Sequence, residues 1–84
     1  MTPRHADLKA VIEQTRHAMA LHQVGRLDEA AAFYKRVLRA NPKSFEALHL
    51  LGLLEAQRGH FVEAEQLISR SLKENMQSAE AYAN

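Results

Sequence analysis

The feature that most constrains this chain is self-similarity at a spacing of 34 residues. The stretch "VIEQTRHAMALHQVGRLDEAAAFYKRVLRANPKS" (11–44) lies over "FEALHLLGLLEAQRGHFVEAEQLISRSLKENMQS" (45–78) without a gap. Identical residues align at Gln23/Gln57, Gly25/Gly59, Glu29/Glu63, Ala30/Ala64, Arg36/Arg70, Leu38/Leu72, Asn41/Asn75 and Ser44/Ser78. Leu27/Phe61 and Tyr34/Ile68 are conservative matches. "AEAYAN" (79–84) then opens a third copy, with Glu80 and Ala81 matching Glu46 and Ala47. A unit that recurs at this spacing is one supersecondary element, which buries its apolar face against its neighbours. Such a chain works through the surface the stack presents, so a surface is a better object of search than a catalytic pocket.

Each unit reads as a helical hairpin. In the second, Ser44 suits an N-cap, where its hydroxyl accepts from a free amide of the first turn. Leu48, Leu51 and Glu55 follow at i, i+3 and i+7, and Leu50, Leu53 and Leu54 widen the apolar surface. Gly59 ends this helix, because glycine takes a left-handed backbone without a Cβ clash. A second amphipathic helix runs through Ala64, Leu67, Ile68, Ser71 and Leu72 and is expected to stop near Asn75. The first unit stops at Asn41-Pro42, since proline cannot continue the preceding helix. At the N-terminus, Thr2 as cap and Pro3 at the first helical position predict a long first helix, from about Pro3 to Val24.

Composition narrows the function classes. With 84 residues there is room for one small domain, which buries only roughly 60% of its unfolded surface. The formal net charge of +1 argues against a nucleic-acid or anionic-membrane partner. There is no cysteine, so disulfide frameworks and thiolate metal sites are excluded, in keeping with a reducing, cytoplasmic setting. No apolar run approaches the ~20 residues of a membrane span, and "MTPRHADLKA" has no apolar core of a secretory signal.

No catalytic constellation emerges. The histidines are His5, His17, His22, His49 and His60; none pairs with another at the i, i+3 or i, i+4 spacing of a helical metal site, so no metal and no cofactor are expected. Glu63 and Glu65, two apart on a helix, point to different sides, and Asp28 and Glu29 favour a helix dipole. Ser69 and Ser71 have no base at a defined spacing. Lys35, Arg36 and Arg39 admit two readings: a basic patch for RNA or acidic partners, or a solvated helix face balanced by Asp28 and Glu29. A DNA-reading helix-turn-helix would need a cationic recognition helix, which "FEALHLLGLLEAQ" is not.

A helix-turn-helix period of this length resembles the tetratricopeptide repeat. That pattern asks for a large apolar residue, Leu-Gly and an aromatic in the first helix, then Ala, an aromatic four residues on, and a closing Pro. The second unit matches at Leu48, Leu51-Gly52, Ala64 and Ile68 and departs at Glu55 and Met76. The first matches at Ala18, Ala30, Tyr34 and Pro42 and departs at Gln14 and His17, as suits a cap whose outer face meets water. Small residues at Ala18, Ala30, Gly52 and Ala64 allow close helix packing; a leucine there would cost about 1–3 kcal/mol. The resemblance implies an all-α, right-handed α-α superhelix of antiparallel hairpins. It divides the chain into an extension of the first helix (1–10), repeats at 11–44 and 45–78, and a truncated third (79–84). A longer parent protein is the corresponding expectation. The stretch from "ALHLLGLLEAQRG" onward also resembles the N-terminal repeats of bacterial glycosyltransferases of the O-linked N-acetylglucosamine-transferase type, in which such repeats present acceptor polypeptides.

In tetratricopeptide proteins one side of every first helix lines a concave surface. By this resemblance Ile12, Thr15, Arg16, Met19, His22 and Gln23 would line it from the first unit. Glu46, His49, Leu50, Leu53, Ala56 and Gln57 would follow from the second, then Glu80, Ala83 and Asn84. Leu50 and Leu53 also admit a reading as packing residues. The Lys/Asn/Arg clamp of chaperone-tail binders is absent, since Thr15, Met19, Leu50, Glu80 and Asn84 stand in its places. Of the asparagine ladder of the glycosyltransferase repeats only Asn84 fits. The expected function is a non-catalytic scaffold that binds protein or peptide, with substrate presentation to a glycosyltransferase as the alternative. Weak homodimerisation through the open C-terminal edge, with Tyr82 docking over it, completes the expectations.

Overall fold

The computed structural model describes residues 5–83, with side chains described over 9–77. Four helices follow in order: α1 (His5–Gln23), α2 (Leu27–Ala40), α3 (Phe45–Gln57) and α4 (Phe61–Ala83). They form two hairpins, α1 with α2 and α3 with α4, joined by packing of α2 on α3. Thr2 and Pro3 lie outside the described residues. Within them α1 has 19 residues against 13 in α3, as the longer first helix requires.

The two hairpin turns have the same chemistry. Gly25 and Gly59 hold φ of 83° and 82°, the left-handed region that favours glycine. Around the first, Gly25 N–H donates to the His22 carbonyl at 3.1 Å and Arg26 N–H to the Leu21 carbonyl at 2.9 Å. Around the second, Gly59 N–H donates to Ala56 at 3.0 Å and His60 N–H to Glu55 at 2.8 Å. Both are Schellman closures, which satisfy carbonyls the helix end leaves free. Ser44 caps α3 as expected, its hydroxyl oxygen accepting from Ala47 N–H at 3.2 Å.

Small residues set how closely the helices approach. Ala18 and Ala30 are fully buried where α1 meets α2. A Cβ on Gly52 would come within 2.6 Å of Ile68 Cγ1 and 3.3 Å of the Ala64 carbonyl oxygen, so α3 and α4 fit together only because that position is bare. Around these approaches Leu21, Tyr34, Leu51 and Leu54 form the core, with Leu27, Phe33, Leu38, Leu50 and Leu67 packed against it.

One expectation fails. The second helix of the second unit does not stop near Asn75: α4 continues through 75–83 as a single helix of 23 residues. The difference lies at one position. Asn41 is followed by Pro42, which has no amide to donate; Asn75 is followed by Met76, which has one, and Gln77, Ala79, Glu80 and Ala81 all favour helix. Glu80 and Ala83 therefore belong to α4 rather than to a separate helix beyond it. The side chains of Glu80, Tyr82 and Ala83, and all of Asn84, lie outside the described set.

Candidate functional site

The open side of α1 and α3 carries a concavity of about 350 Å³, lined by Met19, His22 and Gln23 from α1, Tyr34 from α2, and Leu50 and Gln57 from α3. Met19 is 36% exposed and Leu50 half-buried, which gives the hollow two apolar walls. Between them His22 bridges the two hairpins. Its Nε2 shares a hydrogen bond with Gln57 Oε1, and its Nδ1 faces the Tyr34 hydroxyl at 3.5 Å. The rings of His22 and Tyr34 meet edge to face at 6.2 Å between centroids. With Nε2–H donating to Gln57, Nδ1 is left to accept from Tyr34. Burial pushes the Tyr34 hydroxyl pKa up, and the nearby Glu46 carboxylate adds to the shift, so the phenol stays neutral and able to donate.

The structure thus brings Met19, His22, Gln23, Leu50 and Gln57 around one hollow; Glu46 does not line it and acts only through its charge on Tyr34. Ile12, Arg16, His49 and Leu53 are exposed, and Ala56 is half-buried; none of them lines the hollow. Thr15 is a correction. It is buried, and its hydroxyl donates to the Val11 carbonyl one turn back at 2.8 Å, so it serves its own helix and offers nothing to a ligand. Tyr34 is the lining residue that sequence reasoning missed. Its equivalence to Ile68 marks it as core, yet its ring floors the hollow and its hydroxyl points to His22.

The other side holds a buried ion cluster at Glu55, where the repeat pattern asks for an aromatic. Glu55 is 2% exposed. Its Oε1 accepts from Arg58 Nη1 and its Oε2 contacts His60 Nδ1, each at 2.9 Å. Arg58 Nη2 reaches Asp28 Oδ1 at 3.1 Å, tying the α3–α4 turn to the first turn of α2. Burial alone pushes the Glu55 carboxyl up, but the hydrogen bonds from His60 and Arg58 and the Arg58 charge outweigh it and hold the pKa below its ordinary value. Glu55, His60 and Glu63 place ligand-type atoms within 4.8 Å of one another across the turn, an assembly invisible to spacing rules applied within one helix. The donor set suits a hydrogen-bonded ion cluster better than a cation, because the Arg58 guanidinium already occupies the buried carboxylate and would repel a metal there.

The depressed Glu55 pKa fixes a sign. The unfolded chain takes up the proton at higher pH than the folded one. The contribution of Glu55 is therefore whole above the ordinary carboxylate range and is lost as pH falls through the folded pKa. Melting temperature measured from neutral pH downward should fall through that range. Glu55→Gln should lower stability at neutral pH by about 1–3 kcal/mol, since the charge and one of the two acceptor oxygens that Arg58 and His60 use are lost, and should flatten the acid limb. An unchanged acid limb in Glu55→Gln would remove this cluster from the stability account.

Among the described residues no helix is long and apolar enough to cross a membrane. No curated protein and no solved structure matches the chain. The family model described as tetratricopeptide repeat matches residues 21–84, from the end of α1 to the last residue. With hairpins, left-handed glycine turns and small-residue approaches of this kind, the chain belongs to the tetratricopeptide repeat family.

Proposed function

We propose that the chain is a protein- or peptide-binding scaffold whose α1–α3 groove holds an extended peptide, one apolar side chain seated between Met19 and Leu50. The family supports protein interaction in general. What carries the specific reading is the composition of the hollow: two apolar walls flank the His22–Gln57 pair, and Gln23 stands beside them. Amide and imidazole groups can trade hydrogen bonds with a peptide backbone, while the walls select an apolar side chain. No step of this function is catalytic and it needs no cofactor. A cytoplasmic location belongs to the same proposal and rests on the cysteine-free sequence. So does the division into repeats at 11–44 and 45–78. Presentation of acceptor polypeptides to a glycosyltransferase would use the same groove, and it rests on sequence resemblance alone.

A peptide-array screen followed by titration of the best ligand tests the groove. Met19→Asp should weaken binding roughly tenfold or more, the scale of an apolar side chain losing its pocket. Phe61→Asp, on α4 outside the hollow, should leave binding unchanged. Equal losses in both variants would move the site off the groove.

A second reading is supported by α4 itself. Phe61, Val62, Leu72 and Met76 are between 58% and 72% exposed, an unusual density of large apolar side chains on one helix. Self-association through this helix would cover Leu72 and Met76 around a two-fold axis, the commonest closed symmetry. Sedimentation over a wide concentration range should then reveal a dimer that Leu72→Asp/Met76→Asp abolishes. A dimer indifferent to that pair would place the contact elsewhere.

A further inference from the structure

The outer face between α2 and α4 carries an observation that the groove does not use. Lys35, Arg36 and Arg39 fall within little more than one turn of α2, and Lys35 and Arg39, at i and i+4, are like charges in a mutually unfavourable spacing. From sequence, Asp28 and Glu29 are the acids that would balance them. The structure spends those acids elsewhere: Glu29 pairs with Arg26 at 2.7 Å, and Asp28 pairs with Arg58 at 3.1 Å. Among the described residues no carboxylate lies within ion-pair distance of Lys35, Arg36 or Arg39. The Arg36 guanidinium sits 5.0 Å from the Phe33 ring centroid, which holds that charge in place. The helix dipole accounts for Arg39, in the last turn of α2, but not for Lys35 and Arg36 before it.

These cations border a concavity. A hollow of about 500 Å³ runs over Ala31 and Ala32 between Lys35, Arg36 and Arg39 and the Arg58 side chain, with Asp28, the partner of Arg58, as its one acidic lining residue. It shares Lys35 with a larger hollow of about 720 Å³ between α2 and α4, whose apolar lining is Leu51, Leu67 and the exposed Val62. The two together make one track, richest in cations at the α2 end and carrying an apolar strip among charged side chains at the α4 end. On the α4 side Glu63 and Glu65 stand with Arg70, so charges of both signs border that end, and the excess of cations lies at the α2 end.

We propose that this outer track is a docking site for an acidic polypeptide segment. Carboxylates of the segment lie over Lys35, Arg36 and Arg39, and an adjacent apolar side chain rests on Leu51, Val62 and Leu67. Charge complementarity selects the acidic run, and the neighbouring apolar floor selects a peptide over a nucleic acid. The cations Lys35, Arg36, Arg39 and Arg70, interrupted by Asp28, Glu63 and Glu65, also fall short of the set of phosphate contacts that nucleic-acid binding draws on. The site is distinct from the α1–α3 groove, so one chain can hold two partners.

Fluorescence anisotropy with a labelled Glu-Glu-Glu-Leu-Leu peptide tests this directly on the whole chain. Saturable binding is expected, weakening steeply as salt is raised because the cations are exposed. Lys35→Glu/Arg39→Glu should weaken it by about tenfold or more, the loss and reversal of two complementary charges. Val62→Asp should weaken it through the apolar end, and Met19→Asp, in the other groove, should leave it intact. Circular dichroism checks that each variant keeps its helices. No saturable binding to the wild type overturns the proposal, as does a charge-reversed variant that folds and binds like wild type. A single-stranded RNA that binds as tightly as the peptide also overturns it, by marking a general polyanion surface.

Discussion

Everything in this small fold depends on how closely α3 can approach α4. At Gly52 the space for a Cβ is already taken by Ile68 and by the Ala64 carbonyl. Ala18 and Ala30 keep the first hairpin equally tight. With the helices that close, Leu51 and Leu54 reach the core that Leu21 and Tyr34 supply from the first hairpin, and α2 stacks on α3. A chain of this length has little apolar area to spare, so its stability comes from the fit of few large side chains between small ones. The hollow at Met19 and Leu50 and the outer track at Lys35 and Val62 are spaces left on either side of that stack.

Much of this architecture was legible in the sequence because it follows from local chemistry repeated at a fixed spacing. Gly25 and Gly59 mark turns that need a positive φ, Ser44 marks a cap, and the small residues mark the close approaches; each rule acts over a few residues. What was not legible depended on partners distant in the chain. Nothing local says that Asp28 pairs with Arg58 rather than neutralising Lys35, or that Tyr34 reaches His22 across a hairpin. Thr15 has the register of a groove residue, yet its hydroxyl turns back on its own helix. The length of α4 differs from the expected one for a narrower reason: the stop signal of the first unit is Pro42, and identity at Asn75 carries no stop without it.

Glu55 shows how a departure from a repeat pattern can be absorbed. An aromatic there would fill the space between helices with apolar area. A buried carboxylate must instead bring its own partners, and Arg58 and His60 supply them from the turn that follows. The substitution exchanges a packing contact for an ionic one, and Arg58 extends it to Asp28 of the neighbouring hairpin. One change of residue type thus ties Asp28 to Arg58 on the outer face, while the inner groove keeps its His22–Gln57 bridge.

The dependence on close helix approach is open to one decisive measurement, the melting of Gly52→Leu beside the double variant Gly52→Leu/Ile68→Ala. The single variant should lose about 1–3 kcal/mol from forced separation of α3 and α4, and removing most of the Ile68 side chain should recover part of that loss. A Gly52→Leu protein as stable as wild type, with its helical content intact, would contradict the account.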